Sequence, residues 1–141
     1  MAFSLDDETR VSIPSSVLTE IASLNRDQSE YVQTQLLKIT EAGYTPDKLV
    51  YKQYGDLKVF RCGGEMRLFG VIIENISVVS TIDHVVILLA VSEHEYEQAG
   101  VEKSQARRLQ SEFAAIQTEN EFYERLNGRL FDSDDVKEFL N

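Results

Sequence analysis

The chain has 141 residues, 43% of them hydrophobic, which is enough for one domain with a real core. Twenty-four acids against fourteen bases leave a net charge of −10, so most of the surface repels nucleic acid. A single cysteine, Cys62, excludes an internal disulfide, and no apolar run approaches the roughly 18 to 20 residues that span a bilayer.

The start, "MAFSLDDETR", has no basic region followed by an apolar one and does not read as a secretory signal. A cytoplasmic protein without membrane contact is expected. The acid excess, with six lysines against eight arginines, also fits a salt-rich cytoplasm such as a halophile's. Cys62, His84 and His94 stand at no recognisable ligand spacing, so neither a metal nor another cofactor is expected.

In chain order, "SIPSSVLTEIASL" places Val17, Leu18, Ile21 and Leu24 at helical spacing, with Ser12 and Pro14 as start signals. A second helix follows at once. Asn25 and Gln28 form a capping-box pattern, Tyr31, Val32, Gln35, Leu36 and Ile39 mark its stripe, and Gly43 its stop. So short a joint predicts an antiparallel helical hairpin. The pattern then alternates. Strands are predicted near Lys48 to Gln53, Leu57 to Cys62 and Met66 to Glu74, with "YGD" and "CGGE" as turns. A further strand runs from His84 to Ser92, then stops abruptly at "EHEYE". Ala106, Leu109, Phe113 and Ile116 mark a third helix, extendable to Asn127 with Gly128 as its stop. The tail offers one more helical turn capped by Asp132 or Ser133. The fold class read from this order is α+β: an N-terminal helical hairpin and a C-terminal helix on an antiparallel sheet of about four strands.

Charge reverses locally. From Lys48 to Arg67 five bases (Lys48, Lys52, Lys58, Arg61, Arg67) face two acids (Asp56, Glu65). A basic segment on a sheet, in an otherwise acidic chain, is what an RNA-phosphate site needs. In a regular strand Lys58 and Arg61 point to opposite faces, and only a bulge brings them together. Ion pairs with nearby glutamates are the structural alternative.

The helical hairpin feeding "YGDLKVFRCGGEMRLFGVIIEN" and then "HVVILLAVSEHEYEQ" resembles the RelE/ParE superfamily of type II toxins. The parts that carry the resemblance are Gly55, Lys58, Arg61, Gly63-Gly64 and Arg67-Leu68-Phe69. "FSLDD" looks like the family's first edge strand. The resemblance covers roughly Phe3 to Ile116. It implies a ribosome-dependent mRNA interferase that cleaves by metal-free 2′-OH attack, with a cognate antitoxin protein as partner and the ribosome and its mRNA as target.

By that resemblance the catalytic candidates are Lys58, Arg61, Arg67, His94 and Tyr96, and Lys52, Lys58 and Arg61 are the RNA contacts. Cations would hold the phosphoryl oxygens while His94 moves a proton. This chain departs from the family where a basic run is usual: Glu93, Glu95 and Glu97 surround His94. The site is either reworked around His94 or no longer a nuclease. The alternatives are therefore a catalytically degenerate RelE-fold binding or regulatory protein, or a ParE-like gyrase inhibitor. Residues 1–118 are assigned to the toxin-like fold and 119–141 to an acidic C-terminal helical extension. That extension would either mask the basic segment or form a homodimer through Phe122, Tyr123, Leu126, Leu130 and Phe131.

Overall fold

A computed structural model describes residues 8–41, 46–74, 76–79, 81–93, 101–126 and 128–139. It is α+β, with five α-helices among the described residues and one six-stranded mixed sheet. In chain order the elements are β1 (Thr9–Pro14), α1 (Ser15–Ala22), α2 (Arg26–Glu41), a 3-10 turn (Pro46–Leu49), β2 (Val50–Tyr54), β3 (Leu57–Arg61), β4 (Arg67–Glu74), β5 (His84–Ser92), α3 (Lys103–Ala114), α4 (Glu119–Arg125), β6 (Gly128–Phe131) and α5 (Ser133–Phe139).

The sheet order is β2-β3-β4-β5-β1-β6. From β2 to β5 the chain is an antiparallel meander. The expectation of about four antiparallel strands needs correction at the other half. There β1 lies parallel to β5, Thr9 opposite His84, and β6 pairs antiparallel with β1. Ser12 belongs to β1 and is fully buried, whereas Pro14 both ends β1 and stands at the N-cap of α1, which begins at Ser15 without a side-chain cap. Nor is the first described strand an edge, because β5 and β6 flank it. The proposed edge strand "FSLDD", residues 3–7, lies outside the described residues.

Both faces of the sheet are covered, each by its own core. One core joins Val17 and Ile21 of α1, Val32, Leu36 and Ile39 of α2 and Val136 of α5 to Val11, Ile13, Phe60, Leu68, Ile72, Val86 and Phe131. The other joins Ala106, Phe113 and Phe122 of α3 and α4 to Leu57, Val59, Phe69, Val71, Ile73, Val85 and Ile87. This explains the unbroken apolar run of β5: a strand buried on both sides has no polar face. Each fully buried Phe or Leu contributes about 1.5–3 kcal/mol of transfer free energy.

Local signals behave as their chemistry dictates. The Asn25 side chain accepts from Gln28 N at 2.9 Å, and the Gln28 side chain accepts from Asn25 N at 3.2 Å. Asp132 and Asp135 close a second such box around the start of α5. Those backbone N–H bonds, from Asp135 first, hold the Asp132 carboxyl below the usual carboxylate range. Instead of continuing to Asn127, the third helix stops at Ala114, and Thr118 caps a separate α4 by accepting from Glu121 N at 3.1 Å. The expected stop at Gly43 lies outside the described residues.

The division at residue 118 does not coincide with a break in packing. Residues 119–139 supply an edge strand and the buried side chains Phe122, Phe131 and Val136. This segment's strand, β6, forms the opposite edge of the sheet from β2. Phe122 and Phe131 are spent inside the chain's own cores, so they are not surfaces for a second copy; Tyr123 is exposed.

Gly70 marks the point where β4 and β5 change register: Phe69 pairs with Ala90, but Gly70 with Leu88. A Cβ there would sit 2.6 Å from the Ile87 carbonyl oxygen, which is backbone and cannot rotate away. We expect Gly70→Ala to cost about 2–3 kcal/mol, the upper part of the overpacking range. An unchanged denaturation midpoint for this variant would show that the bulge has room to relax.

Candidate functional site

The predicted cations gather at one end of the meander, but not all on one side. Arg61 and Arg67 face each other across β3 and β4 as register partners. Alternation fixes their side: Arg61 follows Val59, and Arg67 precedes Phe69 by two, so both point to the face that carries α3. Lys52 pairs with Val59 and shares that face. Lys58 does not. It alternates with Phe60 onto the opposite face, where its ammonium donates to Gln53 Oε1 at 2.8 Å. β3 carries no bulge between Lys58 and Arg61, because each of its residues pairs in turn with β4. The set Lys58, Arg61, Arg67 therefore does not converge on one phosphate.

The bulge lies in β2. Val50 pairs with Phe60 and Lys52 with Val59, leaving Tyr51 as the extra residue. Tyr51 is 41% exposed. The Arg61 guanidinium lies 5.2 Å from the ring centroid and the Lys52 ammonium 5.3 Å, both within cation–π reach. An open surface depression of about 540 Å³ wraps this edge strand. Tyr51, Lys52, Gln53 and Lys58 line it together with Asp47, so Lys58 reaches the same edge from the other side.

Arg67 is half-buried and structurally engaged. Its Nη1 donates to the carbonyl oxygen of Glu65 at 2.8 Å and to that of Glu93 at 3.2 Å. Gly64 (φ 60°) and Glu65 (φ 70°) are both left-handed, which glycine adopts freely and glutamate only under constraint. Arg67 thus ties a strained turn to the exit of β5. From the other side of the sheet, the Tyr31 ring of α2 lies flat against Gly63 and Gly64, so close that a Cβ on either would fall 2.5 Å from a ring carbon. Gln28 of α2 donates to the Glu93 carboxylate. Glu93, just past the end of β5, is accordingly held from both faces of the sheet. His94, the proposed general acid or base, and Tyr96 lie outside the described residues, as do Glu95 and Glu97.

Cys62, beside this turn, is buried, and desolvation pushes its thiol up to about 12. It stays protonated and is no nucleophile. No group of three or more His, Cys, Asp or Glu residues positioned for a metal occurs among the described residues. No helix among them is long and apolar enough to cross a membrane.

Sequence reasoning passed over Tyr51, and it gave Tyr31, Gln28 and Glu93 only local roles, in a helix stripe, a capping box and an acidic run. For Tyr51 a signal existed: an aromatic residue beside lysine inside the one basic segment. The contacts of Tyr31 with the glycine turn, and of Gln28 with Glu93, join residues far apart in sequence and leave no local trace. Comparison of the chain with protein-family models, with curated proteins and with solved structures found no match.

Proposed function

We propose that this chain is a RelE-like protein that binds RNA at the Arg61–Arg67 end of its sheet, as a member of a type II toxin–antitoxin pair. The observation that carries the reading is the cross-strand pair Arg61 and Arg67 on one face, with Lys52 and the exposed Tyr51 beside them. Guanidinium groups present planar forks that match two phosphoryl oxygens. The remaining surface is strongly acidic, which confines an RNA to this edge and makes its binding steeply salt-dependent. The family assignment itself rests on the resemblance drawn from the sequence. A small antitoxin protein is the partner this reading implies.

Ribosome-dependent mRNA cleavage is the second reading. It is favoured by the bond from Arg67 to the carbonyl of Glu93, the residue that precedes His94 in the chain. Cleavage by 2′-OH attack needs a proton acceptor, a proton donor and charge stabilisation at the phosphorus. Arg61 and Arg67 would supply the last, and His94 the proton transfer. Against it stand the opposite orientation of Lys58 and the two carbonyls already held by Arg67. Induced expression of the chain alone tests both readings. Growth arrest with cleaved mRNA ends is the outcome of an interferase. RNA retained by the purified protein without arrest is the outcome of a binding module. Arrest with DNA-damage signalling and intact mRNA would replace both with gyrase inhibition. No RNA binding and no arrest would remove the RNA reading.

A further inference from the structure

We infer that Tyr51 is a stacking platform for an unpaired base, so that the basic edge selects single-stranded over duplex RNA. The inference rests on the RNA-binding reading above and deepens it. Positive charge alone cannot tell single strands from duplexes, because both present phosphates. An exposed aromatic ring can, because in a duplex the base faces are already stacked, whereas a single strand offers them freely.

Three features point to this use of Tyr51. The Tyr51 side chain is exposed, and it stands on the strand at the edge of the sheet among the described residues. The β2 bulge removes it from the regular in-out alternation of the sheet, and bulges commonly re-aim a side chain at a functional position. Two cations also lie over the ring, 5.2 and 5.3 Å from its centroid, so that a strand stacked there brings its phosphates to positive charge. Lys58, excluded from the arginine face, finds a role in this arrangement. It borders the same depression from the far side of β2, where a strand crossing the edge would pass.

The measurement is fluorescence anisotropy of the full chain with a short labelled single-stranded RNA of mixed sequence, and separately with a duplex made from the same strand. Tyr51→Ala should weaken single-strand binding about ten- to a hundredfold, the loss typical of one base-stacking aromatic. Duplex binding should change less than about twofold. Tyr51→Phe and Tyr51→Trp should keep single-strand affinity, since each retains an aromatic face. A folding control is straightforward, because an exposed side chain on an edge strand contributes little to stability: the melting temperature of Tyr51→Ala should stay close to that of the parent. Equal affinities of parent and Tyr51→Ala for the single strand would overturn the inference while leaving the RNA site standing. So would an equal loss on both RNAs, which would mean that the ring only positions Arg61. Failure of the parent to bind either RNA would overturn the site itself and the inference with it.

Discussion

Truncation after Gln117 should abolish cooperative folding. The composition of the tail suggests the opposite, because its acids outnumber its bases and its apolar residues read as a separate surface. In the folded chain, however, Phe131 and Val136 belong to one core and Phe122 to the other. Replacing one buried phenylalanine by alanine costs about 3–5 kcal/mol. Losing two, together with a strand, removes much of a total stability on the order of 5–15 kcal/mol. The cut also strips the pairing of Val11 to Pro14 with Gly128 to Phe131, turning β1 into a bare edge. Circular dichroism and denaturant titration of residues 1–117 would decide the matter. A cooperative transition close to that of the intact chain would show that β6 and α5 are ornaments on a self-sufficient core.

The second large effect separates the two arginines. Arg61 is exposed and Arg67 half-buried, so the same substitution should act differently at each. Arg61→Ala should weaken RNA binding and leave the melting temperature almost unchanged. Arg67→Ala should do both kinds of damage. It deletes two charge-assisted bonds, to the carbonyls of Glu65 and Glu93, and releases the left-handed turn at Gly64 and Glu65. A stability loss of about 2 kcal/mol is expected from bonds of this type. If the protein is an interferase, Arg67→Ala should also lose about 2–4 kcal/mol of transition-state stabilisation, a rate loss of roughly a hundredfold to a thousandfold. Arg67→Lys should not restore either property, since an ammonium cannot reproduce the planar fork. Thermal melts and RNA affinity of these variants are sufficient readouts. An Arg67→Ala protein that is destabilised yet binds RNA like the parent would reduce Arg67 to a turn-holding residue and leave Arg61, Lys52 and Tyr51 as the site.

Local chemistry written along the chain determined most of its elements. The helix at Arg26–Glu41 was legible because its capping box and apolar stripe are interactions between residues three and four apart. β5 was legible residue for residue, from His84 to Ser92, because burial on both faces demands an unbroken apolar run. The reversal of charge between Lys48 and Arg67 was likewise a property of composition alone. β6 was not legible: four residues, Gly128–Phe131, carry too little periodicity to announce a strand, and it exists because β1 offers it an edge. The parallel pairing of β1 with β5 joins residues some seventy-five positions apart, and nothing in either segment specifies that partner. The candidate site divides in the same way. Its residue types could be read from the sequence, whereas tertiary structure decided which of them meet. Strand alternation sent Lys58 away from Arg61, cross-strand register set Arg67 opposite Arg61, and a bulge in β2 turned Tyr51 into the aromatic centre of the basic edge. Register and bulges are properties of two strands at once, which is why one strand's sequence could not disclose them.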